Sequence, residues 1–267
     1  MSNALGRLRL LLKDQLFVRS GNSMQPTQRA QQLSKPILQA LELVRSGLND
    51  LTEFDLEADR DFNIAGIEYV NLVLLPKLLP LVYEHIEHIH INSVIGDAYA
   101  MKDKLKSGDI DVVIDITPLR DNEFEIQKIG TDKFMTIARK GHPSEGVSLS
   151  QTELLDHDHL ILEPSNEEEQ GFFMEQLLRS NGHEHRIVAR TAHLYGLPLM
   201  IAQTNLVSTV PSQIGKVFLE HFDLIELDAP LQQTEFPMLM IWHQSQTSDP
   251  GHMWLRKQIE HVSKSMG

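Results

Sequence analysis

MSNALGRLRLLLKDQLFVRSGNSMQPTQRA, residues 1–30, is the stretch from which the rest of the chain takes its meaning. Within residues 2–12, Leu5, Leu8 and Leu12 recur at helical spacing while Arg7 and Arg9 lie off that face, the pattern of an amphipathic helix. Lys13, Asp14 and Gln15 close it. Residues 16–19 (LFVR) then read as a short strand, 20–23 (SGNS) as a tight turn, and Met24 and Gln25 as the returning strand, so the segment is a helix followed by a β-wing. Residues 1–33 carry five cations (Arg7, Arg9, Lys13, Arg19, Arg29) and one acid (Asp14), a net +4, whereas the whole chain carries −13, which leaves −17 on the other 234 residues. A basic end on an acidic protein is the electrostatic footprint of a head that binds a polyanion, although a solvated surface helix has the same composition.

The runs LGRLR, LLKDQLFVRSG and MQPTQRA resemble the second half of the winged helix-turn-helix of LysR-type transcriptional regulators, from the recognition helix through the wing into a long linker helix. The resemblance implies DNA as a partner. It places Ser2 and Asn3 where the family's helix reaches bases, Arg7 and Arg9 further along that helix, and Arg19 and Ser20 on the wing that grips phosphate or the minor groove. The family's first two helices and the opening of the recognition helix would precede Met1, so a partial winged helix-turn-helix is expected over residues 1–27.

With 267 residues the chain is long enough for about two domains, and 41% hydrophobic and 23% charged residues describe a soluble globular protein. The absence of cysteine excludes disulfides, thiolate metal sites and thiol catalysis. No apolar leader or cleavage site opens the sequence, and no apolar run approaches the ~18 residues that suggest a membrane span, so a cytoplasmic protein without membrane contact is expected.

From residue 28 to residue 52, Ala30, Leu33, Ile37, Leu41, Val44, Leu48 and Leu51 step by three and four, the period of a coiled-coil seam. Thr27 is placed to cap this helix, and Pro36 should kink it. The polar run 57–60 (EADR) reads as a hinge, which leaves the seam without an adjacent core. A homodimer through this helix is therefore expected, against the alternative of a helix packed on its own domain. In the LysR-type family this helix pairs subunits, and tetramers are common.

Beyond the hinge the chain alternates strands and helices. Residues 62–66 and 90–95 read as strands, with a helix over 69–85 interrupted by Pro76 and Pro80. A second helix, capped by Asp97 and ended by Gly108, precedes the continuous apolar strand 111–116. An open α/β sheet holds ligands beyond the carboxyl ends of its strands, which here are Gly66, Ile67 and Glu68, Gly96 and Asp97, and Ile116 and Thr117. The run KLKSGDIDVVI also resembles the LysR-type effector domain. The family usually carries Ser or Thr at the position of Ile67, where a hydroxyl and helix N–H groups hold an anionic effector. Ile67 lacks the hydroxyl and Glu68 would repel an anion, so the expectation is that a simple carboxylate is not the effector, or that it binds elsewhere in the cleft.

The remainder reads as two strands within 125–140, strand 159–162, helix 171–179, strand 186–189, helix 194–203, strands 206–210 and 223–227, strand 237–243, and a closing helix 251–264 that packs Met253, Trp254, Leu255 and Ile259. The end, WHQSQTSDPGHMWLRKQI, resembles the nodulation-regulator-like branch of the family. The resemblance implies a periplasmic-binding-protein-like pair of α/β lobes, with lobe I over 61–135 and 238–267 and lobe II over 136–237. It implies a small-molecule effector between them, lined from lobe II by Glu163, Pro164 and Ser165, by His193, Leu194 and Tyr195, and by Thr209 and Val210.

Other chemistry is weak. His85, His88 and His90 straddle a helix–strand boundary with no fixed face, and they read, like His183 and His185, as surface histidines rather than zinc ligands. Glu167, Glu168 and Glu169 read as an acidic helix start. No nucleophile elbow, P-loop or dinucleotide fingerprint occurs, so neither an enzyme nor a cofactor is expected. The rival reading is a cytoplasmic solute-binding module without a DNA function.

Overall fold

The computed structural model describes residues 3–20, 23–34, 36–37, 54–85, 87–162, 186–230 and 234–264. The chain divides into two compact units, Met1–Phe54 and Asp55–Gly267, and each is described by itself.

In the first unit, α1 (Asn3–Leu12) is followed by an antiparallel pair, β1 (Phe17–Ser20) and β2 (Ser23–Pro26), with Val18 opposite Gln25 and Arg19 opposite Met24. The link between helix and wing turns on two non-glycine residues in the left-handed region, Lys13 (φ 51°) and Leu16 (φ 61°). That conformation costs energy for an L-residue, and local bonds offset it. Asp14, the lone acid of this basic stretch, supplies them: its Oδ1 accepts from the Leu16 N–H at 2.6 Å and from the Thr27 hydroxyl at 2.7 Å. These bonds, the Thr27 one foremost, hold its carboxyl below the usual carboxylate range. Thr27 Oγ1 in turn accepts from Ala30 N–H at 3.2 Å, capping a helix over 28–34 as expected. Residues 36 and 37 are also helical. Leu41, Val44, Leu48 and Leu51 lie outside the described residues.

The second unit is built on a twisted sheet in which β3 (Arg60–Gly66) runs parallel to both β4 (Ile89–Ile95) and β5 (Val112–Asp115). β3 carries Phe62, Ile64 and Ala65 at no exposure, and all of β5 is buried. Burial on both faces is what a continuous apolar run in a parallel sheet requires. Between β3 and β4, a π-helical turn (Val70–Leu74) runs into α2 (Leu75–Val82). The two prolines do not interrupt it. Pro76 falls in the first turn of the α-helical part, where the register changes, and Pro80 is carried inside. Asp97 caps one turn earlier than expected: its Oδ1 accepts from Ala100 N–H at 2.8 Å, ahead of α3 (Lys102–Ser107), which Gly108 ends at φ 80°.

The expected pair of strands within 125–140 is a single sixteen-residue strand, β6 (Phe124–Arg139). It runs antiparallel to the late β11 (Glu235–His243), which pairs in turn with β5. The register slips between Met238 and Leu239, opposite Gly130 and Lys128, so Ile129 is the extra residue of a bulge. The bulge bends the strand without breaking it, so the two expected strands are one. Past it, β6 pairs with β9 (Ser208–Pro211) and β10 (Leu224–Leu227). Two halves thus share one sheet through two crossing strands.

The second half also contains α4 (Gln151–Leu155), which opens with a reciprocal Ser150–Glu153 capping box, and a parallel pair, β7 (Asp158–Leu162) and β8 (Arg186–Thr191). Leu194–Gly196 forms a 3₁₀ turn leading into α5 (Leu197–Ala202), where one longer helix was expected. A helix that the sequence reading passed over, α6 (Ser212–His221), buries Ile214 and Phe218 and lays Gly215 over Met135, where a Cβ would meet Met135 Sδ at 2.4 Å. α7 (Pro250–Lys264) closes the chain on Leu255, Ile259 and Val262. Met253, expected in that core, is 39% exposed, and its place is taken by the fully buried His252. Trp254 stacks on Phe62 with ring centroids 5.8 Å apart. The expected helix 171–179 lies outside the described residues. No described helix is long and apolar enough to cross a membrane.

Candidate effector junction and nucleic-acid face

The loops that follow β4 and β5 are held together by one carboxylate. Asp115, with no exposed surface, accepts the Ala98 N–H at Oδ2 (2.8 Å) and the Ile116 and Thr117 N–H groups at Oδ1 (2.6 and 3.0 Å). Burial pushes its pKa up, against the lowering effect of these bonds. The amides of Ile116 and Thr117, expected to face a ligand, are therefore already engaged. Gly66 and Gly96 act through shape rather than contact. A Cβ on Gly66 would sit 2.7 Å from the Ile114 carbonyl oxygen, and one on Gly96 would sit 2.3 Å from Met101 Cε. The close approach lets the Gly66 carbonyl accept from Gly96 N–H at 3.1 Å. Asp97 is spent on its own turn.

Glu68 has a role that its sequence position did not suggest. It follows β3, is 7% exposed, and its Oε2 accepts the backbone N–H of Leu194 at 2.6 Å, across the junction between the two halves. The His193 Nδ1 lies 3.6 Å from Oε1. The Tyr195 phenol is pushed up by burial and by the Glu68 charge, against the effect of its bond to Asn71. The structure thus brings Glu68 together with His193, Leu194 and Tyr195, of which Leu194 lies 126 positions along the chain from Glu68. Ile67 is half-buried beside them. Thr209 lies on β9 with its Oγ1 3.1 Å from that of Thr136 on β6, and Val210 is buried. Glu163, Pro164 and Ser165 lie outside the described residues.

Another buried carboxylate carries no mark in the sequence. Asp132, just past the β6 bulge, accepts from the Ser212 hydroxyl at 2.6 Å and from Gln213 N–H at 3.3 Å at the start of α6. Beside it the Tyr69 phenol is raised by burial and by the Asp132 charge. Tyr69, Ile129, Thr131, Gln213 and Met238 line a cavity of about 30 Å³, room for a water or two.

On the basic head, Arg7 and Arg19 are exposed, whereas Arg9 turns back and donates from Nε to the Gln15 carbonyl at 2.7 Å. Asn3 opens α1 and Ser20 ends β1, while Ser2 lies outside the described residues. His88 and His90 pair with Asp59 and Asp61 at 3.0 and 3.1 Å; among the described residues no group of three ligating side chains could hold a metal. His183 and His185, like Glu167 to Glu169, lie outside the described residues.

Two α/β halves joined by crossing strands, with a charged junction between them, make a two-lobed, periplasmic-binding-protein-like sensor. The family model described as the LysR substrate binding domain matches residues 57–263, and the chain belongs to that family. It is 28% identical over 260 residues to the transcriptional activator NagR of Ralstonia, covering 96% of this chain and 85% of the relative. It is also 25% identical over 271 residues to nodulation protein D of Rhizobium leguminosarum bv. trifolii, covering 97% and 81%. A solved structure of a probable transcriptional regulator from Pseudomonas aeruginosa superimposes with a TM-score of 0.70 at 25% identity, over 97% of this chain and 85% of that one. The chain is a transcriptional regulator of LysR type.

Proposed function

We propose that residues 1–27 contact DNA, with Arg7 and Arg19 as the principal phosphate contacts, and that a small molecule bound where the two lobes meet controls that contact. Lobe I takes in 61–135 and 238–267 and lobe II 136–237. The helix from residue 28 pairs two subunits, tetramers being the larger assembly, in the cytoplasm and without catalysis. The observation that carries this reading is the Glu68–Leu194 bond, a direct tie between the strand ends of one lobe and a helix start of the other. A ligand entering there has different contacts with open and closed lobes, and only such a difference can shift the equilibrium between them.

The test is a shift assay with duplexes selected from a random pool, titrated with salt. Specific binding is expected, with the logarithm of the affinity falling linearly with the logarithm of salt concentration. Arg19→Ala should weaken binding across sequences and reduce the slope by about one. No specific, salt-dependent binding would favour a free-standing solute-binding module.

A further inference from the structure

The junction contains an unmet acceptor. Glu68 Oε1 is buried and has no hydrogen-bond donor among the described residues, while Oε2 of the same carboxylate is occupied by Leu194 N–H. A buried carboxylate oxygen without a donor costs free energy that a bound N–H or ammonium group would recover. Among the described residues the imidazole facing it is that of His193, whose Nδ1 at 3.6 Å is beyond hydrogen-bond reach and whose side chain is 78% exposed. An exposed imidazole swings aside at little cost, which opens a way to Oε1.

The surroundings fix the sign of the guest. Asp97 and Asp115 stand with Glu68 at the strand ends, and the amides of Ala98, Ile116 and Thr117 that could have received an anion are already donated to Asp115. Ile67 offers no hydroxyl. An anion would meet the Glu68 charge with these three backbone amides already engaged, whereas a cation meets an unpaired acceptor in a negative field. We propose that the effector presents an amine head, as ammonium or N–H donor, to Glu68 Oε1, entering past His193. This rests on the reading of the junction as the effector site and assigns the ligand's chemical class.

The probes are benzylamine, benzyl alcohol and benzoate, which share a ring and differ in the sign of the head group. They are titrated into the full chain, with affinity from calorimetry and location from the ¹⁵N shift of the Leu194 amide, which touches Glu68. Benzylamine is expected to bind most tightly and benzoate least, with Leu194 moving on benzylamine addition. Glu68→Gln keeps an acceptor for Leu194 N–H but loses the charge, and should weaken benzylamine at least tenfold, whereas Glu220→Gln, which removes an exposed acid on α6, should hold it within about threefold of the wild type. Matching urea midpoints for the two variants exclude a folding defect. Glu68→Gln binding benzylamine as well as the wild type, or benzoate binding as tightly as benzylamine, would overturn the proposal. Benzoate moving Leu194 while benzylamine does not would overturn the amine class and leave the junction as the effector site. If none of the three moves Leu194, both fail.

Discussion

Asp115→Ala is expected to lower the free energy of unfolding by about 3 kcal/mol or more, and to do so without touching DNA or ligand. The carboxylate is fully buried and accepts three backbone N–H groups from two loops, those of Ala98, Ile116 and Thr117. Truncation strands all three donors, that of Ala98 buried and those of Ile116 and Thr117 part-buried, and a buried donor left unpaired costs roughly 1–3 kcal/mol. Asp115→Asn retains one oxygen and no charge. Because burial already penalises the charged form at this site, the amide variant should recover a substantial part of the loss. Urea titrations of the three proteins check this through the midpoint at constant slope. An alanine variant within ~0.5 kcal/mol of wild type would show that water satisfies these amides and that Asp115 is not what fixes the strand ends.

The second large effect is acid destabilisation through His252. Its ring is fully buried at the head of α7. Nε2 donates to the Asp111 carbonyl at 2.9 Å, so Nδ1 is the neutral ring's acceptor and faces Arg256 Nη1 at 3.1 Å. Burial first, with the Arg256 and Arg60 charges adding to it, pulls the imidazole pKa down to about 4 from 6.5. A folded-state pKa below the unfolded one means stability that is present above pH 6.5 and lost as the pH falls through about 4. That gap is worth about 3 kcal/mol. His142, also lowered by burial, acts in the same direction. Asp111 and Asp115 act oppositely: their pKa values are raised by burial, so protonating them favours the folded state as acid is added. His88, raised by its bond to Asp59, likewise favours the folded state on the acid side. The net expectation is a fall in melting temperature from pH 7 to pH 5, and a flatter profile in His252→Gln, which starts from a lower stability. Equal slopes for both proteins would remove His252 as the cause.

The parts of this molecule visible in its sequence are those whose signal is local. The wing shows itself in the helix–strand–turn pattern and in a reversal of charge, and β5 in an unbroken apolar run. The cap on the linker helix can be read from Thr27 alone. What escaped depends on partners far along the chain or on competing patterns. Glu68 looked like a repulsive group at a ligand's edge because its actual partner, the amide of Leu194, is 126 positions away. Asp115 and Asp132 carry no spacing that marks them, since a carboxylate ending a buried strand resembles one opening a loop. α6 was missed because Gly215 lies mid-helix in SQIGKVFLEH and lowers its propensity, yet the missing side chain is what admits Met135. β6 reads as two strands because a bulge beside Gly130 keeps pairing intact across a residue that usually weakens strands.

The central claim is that Glu68 ties the two lobes and thereby sets their spacing. A chain without cysteine allows clean paired labelling, and Tyr99→Cys and Leu199→Cys fall on exposed positions of opposite lobes, 43% and 54% exposed. Pulsed dipolar spectroscopy between spin labels at these two sites is the most direct measurement. With Glu68 present a single narrow distance distribution is predicted, and with Glu68→Ala a broader one shifted to longer distance. Superimposable distributions for the two proteins would contradict the claim.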